Sequence, residues 1–212
     1  MAEPKLRADA QRNLERLTAA AVTVFGERGL DAPLEEIAKR AGVSAGTLYN
    51  RFGGRDALID AVMPDLMAAQ IKTAQDRAEA CADPWQAFVS YVESLCELQA
   101  SNAALNDAVS RRFPDAERLT ELCDNQWAYA ARVIDQAHAD GSLRADFTAA
   151  DMPLVLWSTS NIARATAEVA PDAWRRALGL ILDGLRAGAA HPLPVPALTE
   201  AQNREAMLRR TR

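Results

Sequence analysis

Hydrophobic positions along this chain recur every three or four residues, which is the spacing of one face of an α-helix. In residues 114–139 the apolar stripe runs from Leu119 to Ala137 with a three, four, three rhythm. The same spacing occurs in four other segments, residues 6–29, 84–100, 149–169 and 171–188. No run alternates apolar and polar residues with a period of two. The pattern therefore predicts an all-α protein of about nine helices.

Proline, serine and glycine positions predict two short helices near the amino terminus. The first covers residues 33–40, with its proline in the first turn, and the second covers residues 44–51, with Ser44 as its N-cap. Two glycines end the second helix. A longer helix is expected over residues 55–79, with Pro64 as a kink or a restart point.

The two short helices and the turn between them have the pattern of a helix-turn-helix. Ile37 and Ala41 face inward on the first helix, and Leu48 anchors the second from its own side. Gly42 permits the sharp turn because glycine adopts a positive φ without steric penalty. Val43 fills the angle between the helices. These positions at fixed spacing predict an N-terminal three-helix unit that presents its last helix to a partner.

The exposed positions of that last helix carry groups that suit DNA. Thr47 and Tyr49 have hydroxyl donors for phosphate oxygens, and Asn50 and Arg51 can bond either base edges or phosphate. Arg55 adds its charge to the positive end of the next helix dipole, which favours phosphate. The predicted DNA-contacting residues are Ser44, Ala45, Gly46, Thr47, Tyr49, Asn50, Arg51 and Arg55.

The distribution of charge agrees with a nucleic-acid contact at one end. The chain of 212 residues has 24 Lys and Arg against 29 Asp and Glu, a formal net charge of -5. Residues 1–55 contain nine basic and seven acidic residues, so they carry +2 and the remaining 157 residues carry -7. A basic-leaning end on an acidic body fits a protein that touches a polyanion at that end only.

The span from Ala19 to Val62 resembles the DNA-binding domain of TetR-family transcriptional regulators. The resemblance rests on Ala20-Ala21, Phe25 and Gly29, on Ile37-Ala38 and Ala41-Gly42-Val43-Ser44, and on Gly46-Thr47-Leu48-Tyr49 with Phe52. It implies a homodimeric repressor that a small molecule, bound in a C-terminal domain, releases from a palindromic operator in double-stranded DNA. Pro33 stands where many members have a Ser or Thr cap, so Asp31 is expected to cap this helix instead.

Aromatic residues concentrate beyond residue 80, which indicates a second domain. Only three of the twelve aromatics precede that point, and all four Trp follow it. The expected division is a helix-turn-helix domain over 1–54, a connecting helix over 55–80, a ligand-binding and dimerisation domain over 81–190 and a flexible tail over 191–212. The last dozen residues of this tail are expected either to form a frayed helix or to stay disordered.

Large aromatics with a few polar groups suit an apolar ligand pocket, although ordinary core packing is the alternative for each of them. The candidate pocket residues are Trp85, Phe88, Tyr91, Arg112, Gln126, Trp127, Trp157 and Asn161. The resemblance places the dimer interface on the last two helices of the second domain. The candidate interface residues are Met152, Val155, Leu178, Ile181, Leu182 and Leu185.

Other classes of protein fit the sequence less well. His138 and His191 lack the Glu three residues earlier that helical carboxylate metal sites use, so neither an enzyme nor a metal or cofactor site is expected. The three cysteines show no CxxC spacing. A helical adaptor that binds only protein would leave the Gly-Thr-Leu-Tyr helix unexplained. No stretch reads as a membrane span or a signal peptide, so a cytoplasmic protein is expected.

Overall fold

The computed structural model describes residues 3–209, and the side chains of residues 11–188 and 190–209. Within this range the chain is helical and has no β-strand, which confirms the all-α prediction. The ten α-helices found there are α1 Glu3–Arg28, α2 Leu34–Ala41, α3 Ala45–Phe52, α4 Arg55–Glu79, α5 Pro84–Ser101, α6 Ala103–Ser110, α7 Glu117–Ala139, α8 Met152–Thr166, α9 Ala173–Leu185 and α10 Glu200–Arg209. The apolar periodicity missed α6, because eight residues are too few to show it.

Helices α1, α2 and α3 form the predicted helix-turn-helix unit. Ile37 and Ala41 of α2 and Leu48 of α3 are buried in its core, as the pattern predicted. Gly42 ends α2 with φ 68°, and the next residue, Val43, donates its N–H to the Ala38 carbonyl at 3.0 Å. This left-handed termination satisfies carbonyls at the end of α2 and turns the chain into α3.

Helix α4 joins two hydrophobic cores. Its first half contributes Leu58 and Met63 to the first core, which joins the DNA-binding unit to residues of α6 such as Leu105, and its second half contributes Ala74 to the second core, in the C-terminal domain. Pro64 lies inside the helix without ending it. The Asp60 carbonyl, which the proline nitrogen cannot bond, instead accepts a hydrogen bond from Arg118 Nη1 at 3.2 Å. Of the two alternatives predicted at Pro64, a kink or a restart, the restart is wrong, because α4 is one continuous helix.

The C-terminal domain packs α5, α7, α8 and α9 around the second core. Among the described helices, none is long and apolar enough to cross a membrane. The described side chains also include no group of three or more His, Cys, Asp or Glu that could hold a metal ion.

The segment predicted to be a flexible tail contains helix α10, which packs on the body of the protein. Met207 and Asn203 of α10 are buried. The Met207 carbonyl accepts the backbone N–H of Arg112 at 3.4 Å, and Asn203 Nδ2 donates to the Ala150 carbonyl at 3.5 Å. The structure corrects the tail assignment: α10 follows an extended proline-rich stretch, and its single methionine gives no periodic signal. The first two and the last three residues of the predicted divisions lie outside the described residues.

Candidate functional site

Helix α3 is held by its N-cap and by one buried leucine, which leaves its other face open. The Ser44 hydroxyl accepts the Thr47 N–H at 3.1 Å, and the two side-chain oxygens lie 2.9 Å apart. This is the predicted cap, and it fixes the first turn of the helix. Tyr49 is 44% exposed, and Asn50 and Arg51 beside it are also exposed. The outer face of α3 is therefore available to a partner.

The remaining predicted contact residues differ in accessibility. Ser44 and Gly46 are exposed, whereas Ala45 and Thr47 are half-buried. The small side chain of Ala45 and the absence of one at Gly46 keep the first turn of α3 narrow. A narrow amino-terminal turn suits entry into the major groove.

Arg55 has a structural role that the sequence did not reveal. Its Nη1 donates to the carbonyls of Leu30 at 2.6 Å and Ala32 at 2.7 Å. Arg55 thus ties the start of α4 to the loop between α1 and α2. This geometry favours a positioning role, and the predicted phosphate contact stays a prediction.

The loop between α1 and α2 is also bound from the C-terminal domain, through α6. Asp107 Oδ2 accepts the Leu30 N–H at 2.7 Å. The buried guanidinium of Arg111 bonds both carboxylate oxygens of Asp31, at 2.8 and 3.0 Å. Burial raises the pKa of Asp107, although the Leu30 N–H and the Arg111 charge favour its ionised form. Side chains of α6 therefore connect the C-terminal domain to the DNA-binding unit.

The contact with Arg111 explains why Asp31 does not cap α2. The N-cap of α2 is Pro33, and no side chain bonds the first turn. Arg111 is 6% exposed and has both its side-chain hydrogen bonds to Asp31, so the loss of these bonds would be more unfavourable than an uncapped helix end near solvent, even though Asp107 lies 3.5 Å away. The capping prediction for Asp31 is corrected on this ground.

A cavity lies in the C-terminal domain between α4, α5, α7 and α8. The cavity volume is about 60 Å³, and the whole space between the lining side chains, which includes open solvent, is about 590 Å³. The lining is mainly apolar and comprises Met67, Ile71, Tyr91, Leu95, Ala108, Val109, Arg112, Cys123, Gln126, Trp127, Ala130, Met152, Pro153, Leu156 and Met207. This composition, apolar with a few polar groups, is typical of a small-molecule site.

Four of the predicted pocket residues line this cavity: Tyr91, Arg112, Gln126 and Trp127. Gln126 Nε2 donates to the Tyr91 hydroxyl, so these two polar groups satisfy each other. Burial raises the pKa of Tyr91 against the lowering effect of that hydrogen bond, and the phenol therefore stays neutral. Arg112 is the only cationic side chain among the lining residues.

The other four predicted pocket residues lie elsewhere. Trp85 and Phe88 pack together in the core with their ring centroids 5.6 Å apart. Trp157 Nε1 donates to the Ser110 carbonyl at 3.2 Å, and Asn161 is exposed and accepts a bond from Arg164. For these residues the core-packing or surface alternative holds.

Most of the aliphatic residues that line the cavity could not be predicted from the sequence, because apolar positions that border a cavity have the same periodicity as those that fill a core. Met152 illustrates the ambiguity, since its position in the pattern predicts a place in the dimer interface and it lines the cavity instead.

The predicted interface residues are largely internal. Met152, Val155, Leu178 and Leu182 are each at most 7% exposed and belong to the core of the chain itself. Ile181 and Leu185 are half-buried and pack against the same core. For Met152, Val155, Leu178 and Leu182 the structure corrects the assignment, because a side chain that fills one protomer's core has no surface left for a partner. Ile181 and Leu185 keep part of their surface, so their place in the interface stays a prediction.

A different face of α8 and α9 is exposed. Leu154 is 44% exposed on α8, and Leu180 is 65% exposed on α9. Ser158, Ala165, Gly179 and Gly184 are also exposed on these helices. A Cβ built on either glycine would meet no atom within 4 Å. We name this set of six residues the α8–α9 face; it combines apolar side chains with small ones that permit close helix approach.

The cysteines differ in their expected reactivity. Burial raises the pKa of Cys96 to about 12 and that of Cys123 to about 11. At pH 8 only about one Cys123 in a thousand is then a thiolate, which is the reactive form. We expect an aromatic disulfide reagent to label one thiol rapidly in the native protein, Cys81, and all three in denaturant. The reactivity of Cys96 and Cys123 should rise only as the pH approaches these pKa values; rapid native labelling of Cys123 at pH 8 would contradict the burial argument.

The fold and the exposed helix α3 together define a helix-turn-helix DNA-binding protein. Residues 17–62 match the model of bacterial regulatory proteins of the tetR family, and residues 83–187 match that of the C-terminal domain of SbtR-like transcriptional regulators. The two models together cover more than half of the chain, which therefore belongs to the TetR family. Its members are transcriptional regulators and not enzymes. This chain is accordingly a DNA-binding transcriptional regulator.

Individual relatives agree with the family assignment. The chain is 28% identical to the HTH-type transcriptional regulator BetI 1 of Chromohalobacter salexigens over 134 residues, 60% of this chain and 66% of that protein. The match thus spans slightly less than two thirds of that relative.

Two solved structures share the fold. The regulator FadR from Bacillus subtilis, in complex with stearoyl-CoA, has a TM-score of 0.61 at 16% identity, over 84% of this chain and 100% of that one. RolR in complex with resorcinol has a TM-score of 0.56 at 20% identity, over 90% of this chain and 100% of that one. At these identities the likeness is one of fold alone.

Proposed function

We propose that this regulator is a homodimeric repressor that a small molecule, bound in the cavity, releases from a palindromic operator. Two α3 helices related by a two-fold axis would read two half-sites, so the operator shares that symmetry. Because the operator is chromosomal DNA, the protein would act in the cytoplasm. The ligand-bound structures of FadR and RolR support a small-molecule effector for a protein of this fold.

The observation that carries the proposal is the position of α6. Ala108 and Val109 line the cavity, while Asp107 and Arg111 on or beside the same short helix bind the loop between α1 and α2. A ligand that moves α6 must therefore move this loop or break its hydrogen bonds. Gly29, with φ 81°, lies so close to α6 that a Cβ there would meet Asp107 Oδ2 at 2.6 Å. The loop and α6 are therefore in such close contact that one can hardly move without the other.

The dimer would form through the α8–α9 face. Leu154 and Leu180 would pack against their counterparts, and the exposed glycines of α9 would let the partner helix approach closely. An interface of this kind sets the distance between the two α3 helices. A ligand-induced shift of α6 and α4 would change that distance, and only one spacing can match both half-sites.

Selection of genomic DNA fragments by the purified dimer at moderate salt tests the proposed function. A recovered palindrome with half-sites about one helical turn apart is the expected result. Parallel selections without the protein serve as the control for non-specific enrichment. Failure of the folded dimer to enrich any sequence over that control would contradict the operator proposal.

Asp31→Ala tests the link between the domains. It removes both hydrogen bonds from Arg111 to the loop and retains the Asp107 bond to Leu30. We expect faster amide hydrogen exchange over residues 29–34, with a modest fall in operator affinity of about 3- to 10-fold, equivalent to about 1 kcal/mol. The salt dependence of binding should not change, because the variant keeps every group that faces phosphate.

Glu36→Gln is the matched control for that variant. Glu36 pairs with Arg28 inside the DNA-binding unit, and the pair does not involve the C-terminal domain. Because the pair is exposed, Glu36→Gln should change neither the amide hydrogen exchange of residues 29–34 nor the operator affinity appreciably. If Asp31→Ala and Glu36→Gln behave alike, the contact with Arg111 does not transmit anything between the domains.

A further inference from the structure

Helix α10 covers the cavity with one side chain. Met207 is the only residue of α10 among the lining residues, and it also lines a second hollow of about 620 Å³ on the outer side. Arg112 and Trp127 line both spaces as well. These three side chains therefore form a partition between an inner apolar cavity and an outer hollow.

The attachment of α10 is weak compared with that of the other helices. Only Asn203 and Met207 are buried, and the two hydrogen bonds that join α10 to the body measure 3.4 and 3.5 Å, at the long end of the range for such bonds. Its other side chains are mainly charged and exposed. Asn203 and Met207 are the buried residues of α10, and neither belongs to one of the two hydrophobic cores, so the helix can open without disturbing those cores.

The two spaces differ in chemistry. In the inner cavity the polar groups of Tyr91 and Gln126 bond each other. The outer hollow is lined by Asp124, Glu200, Asn203 and Arg204 in addition to the partition. A ligand that extends across the partition would thus have its apolar part inside and its polar part outside.

Arg112 at the partition is well placed to bind a negative group. Its side chain is 18% exposed, and Nη1 lies 2.8 Å from Asp124 Oδ1. That contact lacks the geometry of a hydrogen bond, so the buried Nη1 has a charge partner but no acceptor. The Asp124 side chain is 65% exposed and can turn into water when another anion replaces it. A carboxylate would offer the bidentate acceptor that Asp124 does not provide.

We propose that the cavity binds an amphipathic monoanion, with its apolar tail inside and its carboxylate on Arg112, and that α10 is the lid through which it enters. The proposal rests on the function of the cavity as the effector site. A single carboxylate suffices because Arg112 is the one cationic side chain among the residues that line the inner cavity. The lid opens by withdrawal of Met207 from between Arg112 and Trp127.

Sodium decanoate and 1-decanol serve as matched probes, because they differ only in the head group. Titration calorimetry with the full chain should show that decanoate binds more tightly than decanol. Arg112→Gln should weaken decanoate binding at least 10-fold and change the affinity for decanol less than 2-fold. Arg112→Lys keeps the charge and should recover part of the affinity. Lys72→Gln, at an exposed cation whose partner Asp76 lies one turn away on the same helix, is the control. Thermal melts establish that each variant is folded.

Stopped-flow tryptophan fluorescence tests the lid, because Trp127 is the one of the four tryptophans that lines the cavity. Met207→Ala should accelerate both association and dissociation of decanoate by about 10-fold, whereas Glu205→Ala on the exposed side of α10 should leave both rates unchanged.

Equal effects of Arg112→Gln on decanoate and decanol would overturn the anion assignment, and unchanged rates in Met207→Ala would overturn the lid. Absence of decanoate binding in a protein that still selects a palindrome would overturn the ligand class and leave the repressor function standing.

Discussion

Leu180→Arg is expected to convert the dimer to monomers and to weaken operator binding by about 100-fold or more, because the two α3 helices would no longer bind as one linked unit. Leu180 is 65% exposed in the single chain, so an arginine there leaves the protomer core intact. In a dimer formed by the α8–α9 face, the same arginine would be a buried charge without a partner. Light scattering and operator titration measure the two effects.

Two control variants separate loss of the dimer from loss of the fold. Val195→Arg places the same charge at an apolar residue that is 69% exposed outside α8 and α9, and it should leave the dimer unchanged. Leu182→Arg lies two residues from Leu180 but at a 7% exposed core position, so it should unfold the C-terminal domain. A folded Leu180→Arg protein that remains dimeric would refute the α8–α9 interface.

Arg51→Ala is expected to weaken operator binding by about 10- to 100-fold and to reduce the salt slope by about two per dimer, since one phosphate in each half-site would no longer be neutralised. Arg51 is exposed in the last turn of α3. The amino-terminal residues of a recognition helix approach the base edges, which leaves its later residues nearer the backbone. The measurement is the operator dissociation constant over a range of salt concentrations.

Arg55→Ala is the matched comparison for Arg51→Ala. Arg55 Nη1 bonds two carbonyls of the loop between α1 and α2, so its removal leaves both acceptors without that donor. The free energy of unfolding should fall by about 1–3 kcal/mol, with little change in the salt slope. The opposite result, an unchanged free energy of unfolding and a reduced salt slope of operator binding, would show that Arg55 contacts phosphate. An unchanged slope in Arg51→Ala, with affinity reduced only at particular base pairs, would assign Arg51 to base readout.

The helix-turn-helix was predictable because local forces determine it. Ser44 bonds the N–H of a residue three positions away, and Gly42 supplies a backbone conformation that other residues rarely adopt. Leu48 is buried by the two helices next to it in sequence. Each of these features depends on neighbours within a few residues, and the amino-acid sequence displays those neighbours directly.

The same argument explains why some of the predicted interface and pocket residues were wrong. Leu180 and Leu182 are both apolar positions of α9, and their periodicity alone did not show which one faces the core. Tyr91 and Trp85 on α5 are both buried, yet only Tyr91 borders the cavity. In both cases the distinction depends on which distant helix packs against the residue.

The sequence by itself determined the all-helical class, the limits of α4, the cap of α3 and the family of the protein. Only the tertiary structure decided the α8–α9 face, the lining of the cavity, the partner of Asp31 and the position of α10. The reason is physical. Helical periodicity and capping arise within one segment, whereas exposure, cavity lining and the pairing of buried charges such as Arg111 depend on contacts between residues far apart in the chain.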